Sequence, residues 1–159
     1  MPVTPDDPDT PHITASNNKK NAALAFDYGE QRIGVAVANR TAGSARALKT
    51  LPNRDPAALD RNLRELIEEW EPDTIVIGIP YNMDGSDSGM TARAIEFAAR
   101  LGEIHGLPID QVDERLTSSE ARMILGEQRR SGQRRKRVRR EDIDSLAAQL
   151  IAESWLRLG

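Results

Sequence analysis

The chain has no cysteine. That excludes disulfides, thiolate metal sites and cysteine nucleophiles, and it fits a reducing compartment, so a cytoplasmic location is expected. Histidine is almost as scarce. The two present, His12 and His105, fall in an expected tail and near an expected loop, which argues against a Ser-His-Asp triad or a His-rich zinc site. No apolar run approaches the ~20 residues that span a bilayer. The N-terminus is rich in Pro and Asp and lacks the apolar core of a secretory signal. Carboxylates are what remains for chemistry.

The 159 residues allow one domain with a sizeable core, and 38% hydrophobic with 30% charged residues suits a globular protein. Net charge is −3 but unevenly spread. Residues 129–140 carry eight basic groups and no acid, leaving 14 basic against 25 acidic groups elsewhere, a balance of −11. An acidic body with one concentrated basic segment suggests a localised contact with a polyanion. Within that segment Arg134, Arg135, Lys136 and Arg137 are candidates for binding nucleic-acid phosphates without reading sequence. So many like charges in a row argue for a mobile segment.

Residues 1–21 hold four prolines and almost nothing apolar. They read as a disordered tail, with one domain over 22–159. Ala22–Asp27, a turn at Gly29, and Arg32–Asn39 read as a buried strand and its antiparallel return. Alternation over 45–51 suggests a third strand completing a meander. Asp55-Pro56 supplies a helix N-cap with proline at the first helical position, and Glu71-Pro72 stops that helix. The β-branched run 74–79 is the signature of a central strand covered on both faces. A polar loop over 81–89 precedes a second helix, and 109–112 give a last strand. Thr117 to Glu120 has capping-box spacing and opens a short helix. The final helix is expected to turn Ile143, Leu146, Ala147, Leu150, Ile151 and Leu158 inward. The fold class is therefore α/β, a mixed five-stranded sheet of three antiparallel meander strands plus two parallel ones, flanked by helices.

Acids fall at the ends of these elements. Asp27 closes the first strand, Asp113 and Glu114 follow the last, and Asp144 opens the final helix. If the first and last strands lie side by side and parallel, their ends share the edge where open α/β sheets place ligands. Asp144 lies about 70° from the centre of its helix stripe at 100° per residue, so it can face that edge. Converging carboxylates repel one another unless a cation neutralises them, which favours Mg²⁺ or Mn²⁺. The same acids also have plainer roles. Asp27 suits a turn, Asp144 complements a helix dipole, and Asp113-Glu114-Arg115 suits a solvated loop with a local ion pair.

Four motifs in order, Asp27-x-Gly29 with Arg32-Ile-Gly34, Gly78-x-Pro80 with Asn82-Met-Asp-Gly85, Asp113-Glu-Arg-x-Thr117, and Asp144-x-x-Ala147-Ala148, resemble the YqgF/RuvX family over roughly 22–157. That family comprises RNase H-like proteins named as pre-16S rRNA nucleases or Holliday junction resolvases. The resemblance implies an RNase H-like fold and a Mg²⁺- or Mn²⁺-dependent endonuclease. Its catalytic, metal-binding acids map onto Asp27, Glu114 and Asp144, with Asp113 adjacent. The implied partner is RNA, leading with the 5′ end of pre-16S rRNA, with a ribosomal precursor particle as a further implied partner. Branched DNA is the alternative, as is a catalytically idle nucleic-acid-binding module. No membrane contact is implied. Arg32 and Arg115, beside the acids, suit phosphates flanking the scissile bond or serve as local ion-pair partners. A monomer and a homodimer are both open. The chain departs from the family mainly in its basic 129–140 insert, and unlike many RNase H-like nucleases it has no acid where the fourth strand ends Gly78-Ile-Pro80.

Overall fold

The computed structural model describes residues 21–116 and 140–158. The expected tail, the capping-box helix at 117–120 and the basic cluster Arg134, Arg135, Lys136 and Arg137 lie outside the described residues. Five strands form one sheet in the order β3-β2-β1-β4-β5: β1 (Ala22–Tyr28), β2 (Arg32–Asn39), β3 (Ser44–Pro52), β4 (Thr74–Ile79) and β5 (Ile109–Asp113). The first three are an antiparallel meander, while β4 runs parallel to both β1 and β5.

The order corrects one expectation. Strands β1 and β5 are not neighbours, because β4 lies between them. Helix α1 (Pro56–Trp70) carries the chain from the β3 edge back to β4 beside β1, and α2 (Thr91–His105) carries it on to β5. Strand β4 is the most apolar element, buried at all six positions, so the centre is where its burial is greatest.

Local signals set the helix ends. The Asp55 carboxylate accepts from the Ala57 amide, and Pro56 occupies the first helical position. At the other end Glu71 takes a left-handed conformation, φ 45°, and its amide bonds the Ile67 carbonyl. Gly106 does the same for α2 at φ 64°, where glycine carries no Cβ penalty.

The two faces of the sheet differ in side-chain size. One presents Leu24, Phe26, Ile33, Val35, Ile75 and Ile77 to α1 and α2. The other presents Ala23, Ala25, Ala36 and Ala38, with Val76 and Val112, to α3 (Arg140–Leu158). Small residues let a helix approach closely. Helix α3 meets this floor through Ala148, Ile151, Ala152 and Trp155. This changes the expected stripe: Leu158 is exposed, and Leu146 and Ala147 are half-buried. Ala148 and Ala152 let the helix come close to the alanine floor, and Ile151 and Trp155 fill the space on either side. Position 144 lies about 30° from the centre of the observed stripe at 100° per residue, nearer than the expected stripe placed it.

At the far end of α3 the Trp155 indole N–H donates to Asp110 Oδ2 at 2.7 Å, with the Arg40 guanidinium over the ring at 4.6 Å. No helix among the described residues is long and apolar enough to cross a membrane.

Candidate functional site

Strand parity decides which acids meet. Side chains alternate between faces along a strand, and Phe26 belongs to the α1/α2 face, so Asp27 belongs to the α3 face. Its register partner on β2 is Gly34. On β4 the pair Phe26↔Ile77 places Gly78 one step on, beside Asp27. Both strands flanking Asp27 thus lack a side chain on the α3 face.

On β5, Val112 belongs to the α3 face, so Asp113 points to the other and Glu114 returns to it. The two acids separate accordingly. Asp113 turns to Arg115, accepting from its Nε at 2.9 and 3.1 Å, from Nη2 at 2.5 Å, and from its amide at 2.9 Å. These bonds hold the Asp113 carboxyl below the usual carboxylate range. Glu114 opens a 3₁₀ turn, Glu114–Leu116, and its carboxyl shares a hydrogen bond with Asp27. Burial is the largest influence on Glu114 and pushes its carboxyl up. The bond with Asp27 opposes that shift, and the charge of Asp113 adds to it.

Two ionised carboxylates have no proton to share. Asp27 and Glu114 in contact therefore need either a proton or a cation between them. The donors are all oxygen, which suits a hard cation such as Mg²⁺ or Mn²⁺. The donor set fits. Among the described residues no three His, Asp or Glu side chains cluster as a metal site. The third predicted acid, Asp144, has its backbone in α3 just past the first turn, on the stripe facing the sheet, and its side chain lies outside the described residues.

The predicted arginines stand on either side. Arg32 opens β2 two positions from Gly34 and so shares the α3 face, half-buried. Arg115 is pinned by Asp113 and reaches the 81–89 loop. There its guanidinium lies 5.8 Å from the Tyr81 ring centroid and its Nη1 is 3.5 Å from the Met83 carbonyl. Gly85, at φ 90°, leaves room for it: a Cβ there would stand 3.2 Å from Nη1. The loop is braced by Asn82, whose side-chain amide donates to Ser86 Oγ and the Asp87 carbonyl, both at 3.0 Å.

The hairpin holding Asp27 is equally fixed. A Cβ on Gly29 would meet the Arg32 carbonyl oxygen at 2.5 Å, so close backbone approach, not positive φ, requires glycine here. Asn53 Nδ2 donates to the Gly29 carbonyl at 2.8 Å, and Glu30 pairs with Arg93 of α2.

Sequence reasoning missed the close approach at Gly78, where an added Cβ would stand 2.9 Å from Glu114 Cγ. The signal was there: a lone glycine inside a β-branched run marks close approach by another group.

A family model described as RuvX, Holliday junction resolvase, matches residues 21–158. A protein of Chromohalobacter salexigens named as a candidate pre-16S rRNA nuclease is 45% identical over 132 residues, covering 83% of this chain and 86% of the relative. One of Pseudomonas putida with the same name is 44% identical over 133 residues, covering 84% and 92%. Among solved structures, Thermus thermophilus RuvC superposes with a TM-score of 0.52 at 14% identity, over 87% of this chain and 96% of that one. That likeness establishes a shared RNase H-like fold. The match over nearly the whole chain, with relatives at these identities, places the protein in the RuvX family, a nuclease family.

Proposed function

We propose that the protein is a divalent-metal-dependent endonuclease that hydrolyses phosphodiester bonds of structured nucleic acid, with the precursor of 16S rRNA as its substrate. The observation that carries this reading is the Asp27–Glu114 pair: two carboxyls brought together where β1 and β5 end, with Glu114 half-buried. Asp27, Glu114 and Asp144 would hold Mg²⁺ or Mn²⁺, with Asp113 reserved for Arg115. When bound, such a cation supplies a water activated for in-line attack and offsets charge on the leaving oxygen.

The chain's own residues do the rest. Asp27 sits on the rigid end of β1, and Glu114 is braced against β4, so neither reorganises as charge develops. Arg115, fixed by Asp113, presents a fork suited to a phosphate beside the scissile bond, and Arg32 offers a second cation on the α3 face, the face of Asp27. The basic run 129–140 adds contacts to backbone phosphates. A cytoplasmic enzyme acting on a ribosomal precursor fits the relatives' name.

The family description favours a second reading, a resolvase of four-way DNA junctions. Cleavage of a precursor RNA fragment and of a four-way junction, each with Mg²⁺ or Mn²⁺ and with Asp27→Asn as control, separates the two. RNA cut by the wild type and spared by the variant supports the first reading. Paired symmetric cuts in the junction alone support the second. Metal-independent binding without cleavage of either refutes both.

A further inference from the structure

Strands β1 and β5 are two strand spacings apart, about 9.5 Å, yet Asp27 on the first is hydrogen-bonded to Glu114 at the end of the second. The side chain that closes this gap crosses β4 at Gly78. A Cβ built on Gly78 would stand 2.9 Å from Glu114 Cγ and 3.0 Å from Ile151 Cγ1, and closer still to Ile151 Cδ1. Carbon atoms in van der Waals contact keep about 3.5–4.0 Å. The missing side chain is thus occupied from two directions, by the stem of Glu114 and by the residue that seats α3 on the sheet.

We propose that Gly78 is a positioning residue of the site: its bare backbone is the floor over which Glu114 reaches Asp27. The proposal rests on the metal-site reading given above and extends it to a residue with no functional group. Ile151 completes the arrangement. It presses on the same glycine and lies seven residues, two helical turns, beyond Asp144 on the same face of α3. One contact therefore sets the approach of Glu114 and the height of the helix bearing Asp144.

The competing explanation is that Gly78 serves only to let α3 pack. Trimming Ile151 separates the two. In Gly78→Ala/Ile151→Ala both helix contacts, Ile151 Cγ1 and Cδ1, are removed, while the conflict with Glu114 remains. Mn²⁺ binding is followed by electron paramagnetic resonance in wild type, Ile151→Ala, Glu114→Gln and the double variant. Ile151→Ala is the reference for the double variant, because it alone carries the effect of trimming the helix. The double variant should lose about 10- to 100-fold relative to Ile151→Ala, the range for disturbing a group that orients a metal ligand, and so match Glu114→Gln. Equal affinity in Ile151→Ala and the double variant overturns the proposal. Equal affinity in wild type and Glu114→Gln refutes the metal-site reading instead.

A second arm needs no metal. Adding Gly78→Ala to Ile151→Ala should lower Tm, or prevent folding, when Glu114 is present. The same addition should leave Tm almost unchanged in a Glu114→Ala background. An equal loss in both backgrounds overturns the proposal.

Discussion

Trp155 is the bolt at the C-terminal end of α3, and its replacement by phenylalanine measures how firmly that helix is held. The indole N–H donates to Asp110 at 2.7 Å. The ring lies under Arg40, which is anchored by Asp73 at 2.9 and 3.0 Å. Phenylalanine keeps most of the buried area but loses the hydrogen bond to a charged acceptor, about 1.5–3 kcal/mol. It also weakens the cation–π contact, a further ~0.5–1 kcal/mol. Asp110 is exposed and regains water, so the lower part of the range applies. Trp155→Phe should cost about 2–3 kcal/mol in urea unfolding, with Tm falling by roughly 2–4 °C per kcal/mol for a domain of this size. In an Asp110→Ala background the same change should cost about 1.5 kcal/mol less. Position 155 lies eleven residues from 144, about 16 Å along the helix, so cleavage per folded molecule should persist at 25 °C. A loss under ~0.5 kcal/mol, or equal losses in both backgrounds, refutes the anchoring argument.

Further outcomes follow from the same geometry. Gly29→Ala forces a methyl onto the Arg32 carbonyl and should destabilise by about 1–3 kcal/mol in urea unfolding, as overpacking does; an unchanged midpoint contradicts the close-approach account. Burial first, and then the Arg64 charge, depress His105 below its ordinary 6.5. The unfolded chain therefore takes up its proton first, and this contribution is intact above pH 6.5 and lost as pH falls toward the folded value. His105→Asn should flatten the stability–pH curve below 6.5; an unaltered slope contradicts the assignment. Asp113→Ala releases Arg115 and should raise KM about fivefold with a smaller effect on kcat, equivalent to roughly 1 kcal/mol of lost orientation. An equal fall in kcat with unchanged KM contradicts the view that Arg115 acts in binding.

Much of the architecture was legible because it is written locally. Asp55-Pro56 and Glu71-Pro72 bound α1 where the chain itself changes character, and the unbroken β-branched run of β4 announced a central strand. The strand order was not legible. Nothing local in β1 or β5 states that β4 will be laid between them; that follows from where the α1 and α2 crossovers return the chain. The face of α3 misled for a related reason. Its aliphatic residues suggested a stripe of which Leu150 and Ile151 are buried, whereas the residues that meet the alanine floor of the sheet are Ala148, Ile151, Ala152 and Trp155. Which of Asp113 and Glu114 shares the face of Asp27 was decidable from parity once Val112 was taken as inward. The close approach at Gly78 needed the third dimension, because the groups that fill its space come from 36 and 73 residues downstream.

The central claim is that Asp27 and Glu114 form a cation-dependent hydrolytic site, and its most direct test is cleavage of a pre-16S rRNA fragment. Wild type and Asp27→Asn are compared with and without Mg²⁺ or Mn²⁺, alongside thermal unfolding to establish that both are folded. The account predicts cutting by wild type only when the metal is added, and none by the folded variant. Wild-type rates in Asp27→Asn, or cutting that persists in chelator, would contradict it.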